Sequence, residues 1–149
     1  VLALHRRAQS NLSRAFQKRQ VEKRYQAVVA GQVAEDSGEV ALPLIADWPN
    51  RPLQKVCFDT GKPALTHWRV LARYPDRDAT RLALRPVTGR THQLRIHCRQ
   101  IGHPILGCDL YAPSEILNRS DRLLLHAERL AFNHPCTGLW REFYSPAPF

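Results

Sequence analysis

No apolar run in the 149 residues approaches the length that crosses a bilayer, so a helical membrane span is excluded. The sequence carries neither a signal peptide nor a lipidation motif. Its four cysteines, Cys57, Cys98, Cys108 and Cys136, are scattered without a CxxC pair, and most sit near apolar residues. They are expected as free, buried thiols of a reducing, cytoplasmic compartment. A GxSxG elbow is missing, which removes the usual serine hydrolase. Phosphate loops of the GxxxxGK and GxGxxG types are missing too. His92, His97 and Cys98 crowd one expected helix, but histidines five residues apart point about 140° apart around it. No other Cys/His pair has finger spacing, so no metal and no cofactor is expected. Internal repeats and low-complexity segments are also lacking.

What the chain has in excess is positive charge. Lys and Arg number 22 against 13 Asp and Glu, a net charge of +9. Such an excess points to an anionic partner, most often nucleic acid. A hydrophobic content of 44% belongs to a globular chain, and the length fits one domain.

The patterning predicts many short strands and two helices, an α+β domain with a mixed, mostly antiparallel sheet and flanking helices. Residues 5–19 are predicted helical, because Ala8, Leu12, Ala15 and Phe16 recur at spacings of three and four. Residues 23–30 alternate as a strand through Tyr25, Ala27 and Val29. Residues 40–46 are predicted as one bent or edge strand, interrupted by Pro43. A short strand is expected near residues 54–58. A hairpin of residues 66–74 and 80–85 turns at Pro75-Asp76-Arg77-Asp78. Residues 91–101 are predicted helical, capped by Thr91 and stopped by Gly102. Residues 113–120 are expected as a loop or helical turn, and 122–132 and 139–144 as strands. The opening VLAL reads as a strand already under way, and with Val1 first the chain is expected to be a piece of a longer protein.

The densest chemistry lies between Arg85 and Gly107. Four arginines (Arg85, Arg90, Arg95, Arg99) and three histidines (His92, His97, His103) interleave there with Leu94, Ile96 and Ile101. The Thr88-Gly89 turn leads into a helix start, whose free N–H groups attract anions. Read from the residues alone, this is either a surface that holds an anion or a solvated basic helix.

The same residues match a family. PVTGRTHQLRIHCRQIGHPILGCDLY (residues 86–111) resembles the PxTGRxHQLRxH…GxPIxGDxxY motif of the RluA-type RNA pseudouridine synthases. KRYQAVV (23–29) is similar to the family's KxYxA strand, and RLLLHAERLAFNHP (122–135) to its LHA segment. DWPNRPLQKVCFDTGKPALT (47–66) resembles the branch that modifies both a 23S rRNA loop and a tRNA anticodon stem-loop. The resemblance covers nearly the whole chain. It departs at Cys108, where many members have Asp.

The resemblance implies a pseudouridine synthase fold and a cofactor-free isomerisation of uridine to pseudouridine in RNA. It implies that Tyr25 stacks on the target uracil and takes part in proton transfer at C5. Arg95 takes the place of the arginine that pairs with the catalytic Asp, and Arg90 contacts phosphate. His92 and Gln93 help bind substrate at the helix start, and Leu124 or Leu125 walls the uracil, with His126 a neighbour. The catalytic Asp belongs to an HRLDxxTSG motif that residues 1–149 do not contain. The chain is therefore expected to be the C-terminal major part of the catalytic domain, one domain and a monomer, inactive alone, with Arg95 an unpaired cation. The alternatives are a non-catalytic RNA-binding module and a ribosomal structural protein. The second gives no reason for the set Tyr25, Arg95 and Leu124.

Overall fold

The computed structural model describes residues 1–149. In chain order it has α1 (Arg6–Gln17), β1 (Glu22–Ala30), β2 (Ser37–Ala41), β3 (Leu44–Ala46), β4 (Gln54–Val56), β5 (Leu65–Tyr74), β6 (Ala79–Pro86), α2 (Gln93–Gln100), α3 (Ser114–Leu117), β7 (Leu125–Asn133) and β8 (Trp140–Tyr144). Six strands form one sheet in the order β2-β5-β6-β1-β7-β8, and β3-β4 is a separate hairpin. Every pairing is antiparallel. This is the α+β architecture expected.

The side-chain period of a strand places Ala27 and Val29 of β1 on one face with Leu82 and Leu84 of β6. Leu94, Ile96 and Cys98 of α2, with Ile105, Cys108 and Tyr111 of the following segment, close over that face to form the main core. Val28, Ala30, Ala79 and Leu106 make a smaller cluster. Helix α1 lays Leu12 against Val21 and Phe132. Buried Glu128 ties β7 to its neighbours by accepting from Arg24 Nε (2.9 Å), Gln26 Nε2 (2.5 Å) and the Tyr144 hydroxyl (3.2 Å).

Four local expectations change. Residues 40–46 are not one strand: Val40 pairs with β5 in the large sheet, whereas Leu44 pairs with β4. Pro43, without an N–H, separates the two. Residues 1–4 form no strand; Leu2 and Leu4 are exposed, and the chain enters α1 through His5, whose Nδ1 accepts from Ala8 N at 3.3 Å. Thr91 does not cap α2. His92 holds that position at φ 54° without a side-chain cap, and ahead of the helix the Gln93 side chain accepts the Arg90 N–H at 3.0 Å. All four thiols are free, but only Cys98 and Cys108 are buried, while Cys57 is half-buried and Cys136 exposed.

Two glycines near the helix exit separate strain from crowding. Gly102 ends α2 at φ +85° with open space around it. Gly107, at φ +69°, lies so close to the Arg122 carbonyl that a methyl group would collide with it. Gly102→Ala is expected to cost about 1 kcal/mol, the ordinary left-handed penalty, and Gly107→Ala more than about 3 kcal/mol. Urea unfolding of both variants measures the difference; equal midpoints would contradict the crowding.

Candidate active site

A pocket of about 240 Å³ opens between β1, the turn from β6 into α2, and the start of β7. Its lining combines Tyr25, Pro86, Leu94 and Leu125 with Lys23, Arg90 and Arg95, and with Thr88, Gly89, His92 and Gln93. The Thr88-Gly89 turn is pinned from below. Gln93 is buried and donates to Leu65 O (3.0 Å) and Thr66 Oγ1 (3.0 Å), while its carbonyl accepts from Thr88 Oγ1 (2.8 Å). Thr66 Oγ1 in turn meets His97 Nδ1 at 2.9 Å. With its amide committed inside the protein, Gln93 builds the floor of the pocket.

Arg90 Nε donates to Pro63 O at 3.0 Å, which fixes one rim. His92 Nδ1 meets the Tyr111 hydroxyl at 2.7 Å, and the Gln54 N–H donates to that same hydroxyl at 2.9 Å. The Tyr111 proton is then free for Nδ1, which selects the Nε2–H tautomer of His92. Burial first, and the Arg95 charge second, hold His92 below the usual histidine range and so neutral.

The Tyr25 ring is half-buried on the strand face shared with Ala27, and its hydroxyl has no hydrogen-bond partner within the chain. Burial raises its pKa, so the hydroxyl stays protonated. Lys23, two residues earlier on the same strand, donates to Thr88 O at 3.2 Å, and burial lowers its pKa.

Arg95 is not the unpaired cation expected. Its Nε donates to Cys108 Sγ at 3.2 Å, its Nη2 forms an ion pair with Asp109, and the guanidinium lies 5.4 Å from the Tyr111 ring centroid. Burial opposes its charge, but Cys108 and Asp109 more than offset this and raise its pKa. Asp109 reaches it from solvent, with a side chain 71% exposed, and does not line the pocket. No carboxylate does.

The structure thus brings together Tyr25, Arg90, His92, Gln93, Arg95 and Leu125. Leu124 is not among them; it lines a separate cavity with Val28, Tyr74 and Phe149. His126 is also outside, its Nε2 at 2.9 Å from Ser145 O. Two site residues were missed in the sequence. Lys23 was within reach of a period-two argument from Tyr25. Tyr111, eighteen residues beyond Gln93, closes the matched motif, but nothing in its spacing showed that it would bond His92. Chemically, the site offers an apolar wall of Leu94 and Leu125, a free phenol beside it, and three cations around the rim.

Comparison with known proteins decides the family. A model of the RNA pseudouridylate synthase family matches residues 1–100. The chain belongs to that family. It is 54% identical to the dual-specificity RNA pseudouridine synthase RluA of Pasteurella multocida (strain Pm70), over all of this chain and 68% of that protein. Identity to the protein of the same name in Escherichia coli (strain K12) is 49%, again over 100% and 68% of the two chains. For Vibrio parahaemolyticus the values are 48% identity, with 100% and 61% covered. Among solved structures, the human RNA pseudouridylate synthase domain containing 1 superposes with a TM-score of 0.85 at 29% identity, over 99% of this chain and 63% of that one. The chain therefore spans about two thirds of the length of its RNA pseudouridylate synthase relatives.

Proposed function

We propose that residues 1–149 supply the uridine pocket of an RNA pseudouridine synthase and lack its nucleophile. The observation that carries this reading is a pocket with a free phenol, an apolar wall and a rim of three cations but no carboxylate. A uridine flipped out of an RNA loop stacks between Tyr25 and Leu125. Flipping costs roughly a few kcal/mol and favours loops over paired stems. A carboxylate from outside these residues, held by Arg95, completes the site. The C1′–N1 bond then breaks, C1′ joins C5, and the C5 proton leaves through the Tyr25 hydroxyl while N1 gains one. Electrons stay within the nucleotide, so no cofactor takes part.

The segment 47–66 supports structured RNA of two kinds as substrate, a 23S rRNA loop and a tRNA anticodon stem-loop. We place the protein in the cytoplasm as a monomer. The 149 residues alone bind RNA without turning it over. The test uses a protein extended N-terminally to the length of its relatives, incubated with both RNAs. Nucleoside chromatography after digestion is expected to resolve pseudouridine from both; its absence from both would overturn the reading.

Binding is expected to be strongly salt-dependent, because Arg6, Arg7, Arg14, Lys18 and Arg19 on and after α1 add to the pocket cations. For about four neutralised phosphates, the affinity of the 149-residue chain for a stem-loop falls roughly 50-fold or more between 50 and 200 mM salt. A flat salt titration would contradict phosphate contact.

A further inference from the structure

The β3–β4 hairpin has an unusual tip. Trp48 is 67% exposed, and the Arg51 guanidinium lies 4.4 Å from its ring centroid. A single exposed aromatic is ordinary, but this one stands on a tip whose backbone is ordered and joined by a hydrogen bond to the pocket wall. Asp47 N donates to Leu53 O (2.9 Å), Leu53 N to Asn50 O (3.0 Å) and Asn50 Nδ2 to Asp47 Oδ2 (3.0 Å), so the tip is closed on itself. Leu53 packs on the main core. The hairpin is also bound to the pocket wall, since Gln54 N donates to the Tyr111 hydroxyl that holds His92. Arg51 stands three residues from Gln54, within about 11 Å of chain reach from that bond. Arg51 makes no ion pair with a carboxylate, unlike Lys55, which meets Asp47 at 3.5 Å. The result is an exposed indole on an ordered tip, with a guanidinium stacked on it that no carboxylate claims, linked through Gln54 and Tyr111 to His92 of the pocket.

We propose that Trp48, with Arg51 stacked on it, is a platform for a second, unpaired base of the RNA loop that neighbours the uridine being isomerised. The inference rests on the RNA reading above and adds a subsite to it. An aromatic face is sequence-tolerant, because every base has a π-face, and stacking on such faces is a main source of single-stranded affinity. Specificity then comes from the spacing between the two bases in the folded loop, so a short unstructured oligonucleotide gains little from the tip.

The test compares the N-terminally extended protein with its Trp48→Ala and Trp48→Phe variants. Trp48 is outside the pocket and exposed, and thermal melts confirm that the variants fold. For a stem-loop RNA, Trp48→Ala is expected to raise Kd and KM about 5- to 100-fold with kcat unchanged, and Trp48→Phe to restore most of the affinity. With a short uridine oligonucleotide the three proteins behave alike. Tryptophan emission quenched by the stem-loop in the parent is largely lost in Trp48→Phe. Equal stem-loop affinity for Trp48→Ala and parent, or equal quenching in parent and Trp48→Phe, would overturn the platform. Both readouts are binding measurements, so a protein that quenches but makes no pseudouridine sinks the isomerase reading and leaves the platform standing.

Discussion

Tyr25→Phe, made in the N-terminally extended protein, lowers the single-turnover rate of uridine isomerisation by about 10²- to 10⁴-fold, the range for loss of a positioned proton-transfer group. The substitution removes one oxygen and keeps the ring, so stacking of the uracil and the fold of β1 stay as they are. RNA affinity is therefore expected to change by less than about threefold, a few tenths of a kcal/mol. The phenol is suited to the step because it is committed to nothing else: burial keeps it protonated, and no group in the chain bonds it. In the proposed mechanism it is a relay, passing its own proton on as it takes the one from C5. Tyr25→Leu, which also removes the ring, is expected to lose affinity besides rate. A Tyr25→Phe protein with parental rate would restrict Tyr25 to stacking.

Arg95→Ala produces the other large effect. Under the proposed mechanism the guanidinium in the extended protein gives up or shares Asp109 and holds the catalytic carboxylate. Removing the partner of a buried charge costs about 3–5 kcal/mol, two to three and a half decades in rate. The pH profile separates this role from mere packing. The carboxylate acts ionised, and a neighbouring Arg lowers its pKa by about 1–3 units. Its activity thus persists as pH falls, down to that lowered pKa. Without Arg95 the pKa rises, so the acid limb of the profile is expected to move upward by about 1–3 units. Arg95→Lys keeps the charge without the planar fork and is expected to fall between. The fold is expected to survive, because the bonds lost within the chain are an ion pair to exposed Asp109 and a hydrogen bond to the Cys108 thiol, a weak acceptor. An acid limb unmoved in Arg95→Ala would remove Arg95 from contact with the nucleophile.

The elements that could be read in the sequence are those with an internal period. α1, β1 and the β5–β6 hairpin each repeat their apolar residues at the spacing of the structure they form, and tertiary partners only trim their ends. The split of residues 40–46 could not be read, because Pro43 divides strands with different partners, β5 in the large sheet and β4 in a local hairpin. The start of α2 was misplaced because His92 takes the cap position in a left-handed conformation without any side-chain cap. Of the site, Tyr25, Arg90 and Arg95 were visible through motif resemblance. The pairing of Arg95 with Asp109, fourteen residues on, depends on how the segment after Gly107 folds back. The choice between Leu124 and Leu125 is a matter of strand face, and Leu125 is fixed only by its pairing with Ala27. The Trp48 tip carried basic neighbours in the sequence, but its ordered backbone and its bond to the pocket wall exist only in the fold.

The measurement that bears most directly on the account is tritium release from RNA labelled at uridine C5, since forming the new C–C bond expels that hydrogen. The 149-residue chain and the extended protein are assayed side by side with the same stem-loop, at concentrations where both bind it. Release is expected from the extended protein alone, at single-turnover rates that fall in the Tyr25 and Arg95 variants. Release by the 149-residue chain at a comparable rate would contradict the account, because a side chain already within these residues would then be the nucleophile.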